Sequence, residues 1–231
     1  GETTARLLRL SRSPQAGDDR IGPVCELLAA RAKAGQLEAA SRLEALQLVH
    51  DVRATPGVRT VLGEALLGGQ PPLAEDAVLG VVAGSEAPSE LRKSALSGLP
   101  GGGDVKTLSA AGIQVLGKVV TDAASPPDLR AYMAGRIAER PVGEALPFLK
   151  AVAEDVDAPR DLRSTMMEHI LGWGGEPAAG VLANIVVQTD SPPDLRSSAM
   201  SAFERAWSAQ AGVACQKVCE MDPLGELCVA A

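Results

Sequence analysis

Five arginines recur along this chain at positions 59, 92, 130, 163 and 196, in steps of 33, 38, 33 and 33 residues. Each closes a proline-containing segment. These are Thr55-Pro56-Gly57-Val58-Arg59, Ala87-Pro88-Ser89-Glu90-Leu91-Arg92, Ser125-Pro126-Pro127-Asp128-Leu129-Arg130, Ala158-Pro159-Arg160-Asp161-Leu162-Arg163 and Ser191-Pro192-Pro193-Asp194-Leu195-Arg196. The long step contains Pro100-Gly101-Gly102-Gly103-Asp104, a loop extension that accounts for the excess. One step upstream of Arg59, Val24-Cys25-Glu26-Leu27-Leu28 reads as a degenerate sixth copy with Glu26 in the arginine place. Repetition at this period is the signature of stacked supersecondary units, so it narrows the fold more than composition does.

Each copy predicts two helices. An apolar stretch such as Ile113, Leu116, Val119 and Val120 comes first, then a polar turn, then a second helix. Ser-Pro-Pro-Asp reads as its start: Ser125 or Ser191 is placed to cap, Pro needs no amide hydrogen in the first turn, and the acid complements the helix dipole. The second helices carry one apolar stripe at helical spacing. It runs Leu129, Met133, Ala134 and Ile137, then Leu162, Met166, Met167 and Ile170, then Leu195, Ala199, Met200 and Phe203. The preceding helices match it with Ala145, Leu149, Val152 and Ala153, then Leu182, Ile185, Val186 and Val187. A hairpin this small cannot bury its stripe alone and must stack on its neighbours. The expected repeats cover residues 11–35, 37–68, 72–99, 106–140, 143–172 and 177–208, forming one solenoid over 1–210, with a cysteine-containing cap at 211–231.

Composition agrees with helices. Apolar residues are 46% of the chain but aromatic ones only 2%, which suits close helix packing better than a β-sandwich. The net charge of −7 argues against a nucleic-acid partner, which requires a basic face. No apolar run approaches the roughly 18 residues of a membrane span.

The motif resembles HEAT repeats, in particular the short bacterial HEAT-like class. In that pattern an apolar first helix ends in Asp, a Pro-containing turn follows, and Val-Arg or Leu-Arg opens the second helix. Here Asp51 precedes Arg59, Asp122 precedes Arg130 and Asp155 precedes Arg163 by the same interval, while Gly84 and Gln188 stand at that place before Arg92 and Arg196. The resemblance covers roughly residues 20 to 210. It implies an all-α, right-handed α-solenoid of about six hairpins, with Asp51, Arg59, Arg92, Asp122, Arg130, Asp155, Arg163 and Arg196 forming a structural ladder between repeats. It says little about function.

No catalytic constellation emerges. His50 and His169 have neither a nucleophile elbow nor a zinc-protease motif around them. The Gly101-Gly102-Gly103 run lacks the context of a phosphate loop. Asp128, Asp161, Asp194 and Glu90 are explained as helix starts rather than metal ligands. No cofactor and no metal are expected.

What remains is surface. The resemblance implies that the second helices line the concave side, where Ser94, Tyr132, Arg136, Glu139, Thr165, Glu168, His169, Ser198, Ser201 and Arg205 would face a partner. Tyr and Arg are frequent interface anchors, so Tyr132 and Arg136 are the leading contacts. The expected function is a non-catalytic scaffold or adaptor that binds another protein, as a monomer or weak oligomer. Two alternatives stand beside it. One is a lyase acting on a chromophore, as some HEAT-like bacterial proteins do. A DNA-alkylation glycosylase of the same class would need a basic, aromatic groove that this composition lacks. The other alternative is a disulfide-held envelope or secreted protein. Cys215, Cys219 and Cys228 crowd the end of the chain and could staple it, with Cys25 left alone. The chain opens Gly1-Glu2-Thr3-Thr4 without Met, as a processed product would. An exported location is thus slightly favoured over a cytoplasmic one.

Overall fold

The computed structural model describes residues 2–11, 18–99, 103–188 and 190–205. Among them the secondary structure is all-helical: twelve α-helices, three short 3-10 turns and no strand. None of these helices is long and apolar enough to cross a membrane. The chain divides into two compact units, Gly1–Leu116 and Gly117–Ala231.

In the first unit, α1 (Glu2–Ser11) pairs with α2 (Asp18–Lys33), α3 (Ala39–Leu46) with α4 (Pro56–Leu67), and α5 (Glu75–Ala83) with α6 (Ser89–Ala95). The second helices α2, α4 and α6 pack in succession, and α1 packs on α3. The start of α7 (Ala110–Thr121) completes this unit.

In the second unit, the carbonyl end of α7 meets α8 (Pro127–Ile137) through Arg130, α9 (Val142–Ala153) pairs with α10 (Arg160–Trp173), and α11 (Gly175–Val187) pairs with α12 (Pro193–Arg205). Again second helices meet second helices, α8 on α10 and α10 on α12, and α9 meets α11.

The stripe occupies the interior. Leu91 in the first unit and Leu129, Leu162 and Leu195 in the second are all buried, none more than 3% exposed. Met133, Ala134, Ile137, Met166, Met167, Ile170, Ala199 and Met200 are buried with them. Cys25 holds the same register before Glu26 and is fully buried, so it fills the place of that leucine. Pro23 likewise matches Pro56, Pro127 and Pro193, but α2 begins earlier and keeps it inside the helix.

The helix starts differ from the capping expectation. Thr55 does cap α4, accepting from Val58 N at 3.4 Å. Where two prolines follow, the cap position is itself a proline with no side chain to offer, as at Pro126. Ser125 turns inward instead and donates to Asp122 Oδ2 at 2.9 Å. In the long step, Gly103 adopts φ 85°, and a Cβ there would meet Leu96 O at 2.9 Å. Asp104 then caps a 3-10 turn, Val105–Thr107.

Candidate protein-binding face

The repeated arginines face inward. Arg59, Arg92, Arg130 and Arg163 are 7%, 3%, 3% and 1% exposed. The long stem crosses the hairpin, so the guanidinium meets the last carbonyls of the first helix ten residues earlier. Arg92, Arg130, Arg163 and Arg196 donate from Nε to Val82, Val120, Ala153 and Val186 oxygens at 2.8, 2.7, 2.9 and 2.9 Å. Arg59 uses Nη1 for Val49 O at 3.4 Å. Those carbonyls have no partner within their own helix, and the charged fork satisfies them.

The guanidinium of Arg59 and that of Arg163 also reach the next copy. Arg59 Nη1 donates to Glu86 O. Arg163 Nη2 donates to Ser191 Oγ at 2.8 Å and to Gln188 Oε1 at 3.2 Å. Gln188, standing where other copies have Asp, also donates from Nε2 to Glu154 O at 2.9 Å. The aspartates themselves shape turns. Asp51, Asp122 and Asp155 each accept at Oδ1 from the amide two residues on, at 3.0 Å. Burial pulls Arg130 below its ordinary pKa, with Asp155 and Asp122 opposing. Arg163 is pulled down in the same way, with Asp155 opposing.

Gly84 departs from Asp for a steric reason. A Cβ there would lie 2.1 Å from His50 Cε1, so the imidazole occupies the space a side chain would need. Burial and Arg59 hold His50 below its ordinary pKa, Arg92 adding to this and Glu86 opposing it.

The predicted contact residues of the second unit lie on or just after α8, on α10 and on α12. Tyr132 is 39% exposed. One turn on, Arg136 Nη1 pairs with Glu139 Oε1 at 2.6 Å. His169 packs from α10 over Gly135, its ring atoms 3.6 Å from where a Cβ would be, on the helix that carries Tyr132 and Arg136. Burial lowers the His169 pKa, and Glu168 opposes this. Thr165 spends its hydroxyl on Asp161 O at 2.9 Å, while Glu168, Ser198 and Ser201 are exposed. In the first unit, Ser94 is half-buried and donates to Leu91 O at 3.2 Å. Arg205 ends α12 with its side chain outside the described residues, and Cys215, Cys219 and Cys228 lie outside them altogether. Cys25 is a free, buried thiol.

The repeat gave no sign of two contributors. Arg42 lies on a first helix, out of register with the other arginines, yet is 1% exposed and donates to Leu66 O at 3.1 Å and to Pro71 O. Trp173 donates from Nε1 to Ala138 O at 3.3 Å, tying the end of α10 to the end of α8. No family model, curated protein or solved structure matches the chain.

Proposed function

We propose that the chain is a non-catalytic α-solenoid of HEAT-like hairpins, a scaffold that binds another protein through the outward face of its second helices. The observation that carries this reading is the exposed Tyr132 ring on α8, the helix that also carries Arg136 of the Arg136–Glu139 pair and against which His169 packs. A large, rigid aromatic flanked by polar groups that already have their geometry binds at low entropic cost, the character of an interface anchor. The repeated arginines support the scaffold reading differently. Their forks serve backbone carbonyls, which leaves them as part of the frame rather than as a ligand-facing ridge.

Affinity capture from the source cells tests the face, with wild type beside Tyr132→Ala/Arg136→Ala. Loss of a specific partner in the variant, with unchanged circular dichroism, supports it. Unchanged recovery removes it. Small-angle scattering tests the solenoid: a globule of this length would have a radius of gyration of about 17 Å, and a continuous stack exceeds that clearly.

A further inference from the structure

A groove of about 420 Å3 opens on the first unit between α4 and the end of α6. That volume is within the range of ligand pockets. Its residues keep the repeat register of the proposed face. Ser94 stands after Arg92 where Tyr132 stands after Arg130, and Glu64 and Ser97 stand where Glu168 stands after Arg163. Resting on the reading that second-helix faces bind a protein, we propose that this groove receives a lysine or arginine side chain of that partner.

The lining contains one carboxylate, Glu64, and no lysine, arginine or histidine. Glu64 is exposed and carries no ion pair among the described residues. The groove lies at the C-terminal end of α4 and beside the 3-10 turn Leu96–Gly98. Pro72 offers an exposed apolar flank for the stem of a long cationic side chain, with the buried Leu67 and Leu99 also in the lining, while Gln70, Ser94 and Ser97 add acceptors near its head. Arg42 packs its guanidinium behind Gly69 of the lining, but it is 1% exposed and spends its donors on the carbonyls of Leu66 and Pro71, so it offers no group to a ligand in the groove. An anionic ligand would find no counter-charge in the lining. The net charge of −7 also draws basic partners.

Calorimetric titration of the full chain with a capped pentalysine peptide, and with capped pentaglutamine, tests the proposal. Wild type binds pentalysine and not pentaglutamine. Glu64→Gln weakens binding about fivefold or more, as loss of a charge-assisted hydrogen bond should. Ser97→Leu, which fills the groove at constant charge, weakens it likewise. Glu86→Gln, an equal charge change at an exposed site tied to Arg59 in the first turn of α4, the end opposite the groove, changes it less than about twofold. Equal losses in the Glu64 and Glu86 variants, or no pentalysine binding by wild type, overturn the proposal. The two readings fail separately. If partner capture depends on Tyr132 and Arg136 but pentalysine binding ignores Glu64, only the groove falls. The opposite result removes only the Tyr132 face.

Discussion

Arg163 Nε donates to the carbonyl oxygen of Ala153 at 2.9 Å, while Nη2 of the same guanidinium reaches Ser191 Oγ at 2.8 Å. One planar fork thus closes its own hairpin and ties it to the next. Arg163→Ala leaves a buried carbonyl, a buried hydroxyl and the Gln188 amide without this partner. The expected loss is about 2–4 kcal/mol, because each orphaned group carries its desolvation cost. Arg163→Lys keeps the charge but cannot serve two directions, and recovers less than half of that. Urea unfolding followed by circular dichroism measures both. A loss under about 1 kcal/mol for the alanine variant would remove the claim that the arginine ties the hairpins.

The stripe and the turn were legible because their residue types are forced. Leu129, Leu162 and Leu195 recur in one register because one helix face must be buried each time, and the proline recurs because it suits a helix start. The inward course of the arginines was legible only as an offset. Spacing gives the register but not whether Nε meets a carbonyl or a carboxylate. Arg42 left no trace, since a single arginine in an amphipathic helix normally reads as solvated. The Gly84–His50 contact was equally hidden: the two residues are far apart in sequence, and Gly84 shows in the motif only as a departure from Asp, with nothing to tie it to His50. The groove was hidden as well, since its lining joins the end of α4 to the end of α6 and no pattern announces that meeting.

The Gly84–His50 contact makes a double-mutant prediction. Gly84→Ala drives a methyl into the imidazole and is expected to cost about 1–3 kcal/mol, the usual range for overpacking. In a His50→Ala background the space is vacant, and the same change should cost under about 0.5 kcal/mol. The coupling energy from four denaturation curves checks this. Additive effects would mean that the ring moves aside freely.

The two histidines set a pH dependence. Burial holds both below the ordinary value of 6.5, with Arg59 and Arg92 adding to it at His50. The unfolded chain therefore takes up protons at these rings first. Their contribution is present in full above about pH 6.5 and is lost progressively as pH falls below it. Thermal midpoints across pH 7.5 to 5.5 should decline for wild type and flatten for His50→Gln/His169→Gln. Parallel profiles for the two proteins would assign the decline to other groups.

Cys25 sits in the leucine register of its repeat, fully buried, and burial with Asp51 and Glu26 nearby raises its pKa to about 11. Thiolate is the reacting species, and near pH 8 only about one Cys25 thiol in a thousand is ionised. Access is closed as well, so alkylation must wait for local or global opening. Iodoacetamide added to the native chain should leave the Cys25 peptide unmodified over minutes, whereas urea-unfolded chain is labelled fully in that time. Mass spectrometry of the digest separates Cys25 from Cys215, Cys219 and Cys228. Replacement tests the same packing. Cys25→Ser puts a hydroxyl where a soft apolar group lay and should cost about 1–3 kcal/mol, while Cys25→Ala should cost less because it buries no new polar group. If native Cys25 were labelled as fast as the unfolded chain, the first hairpin would not bury its seam, and its place in the stack would be lost.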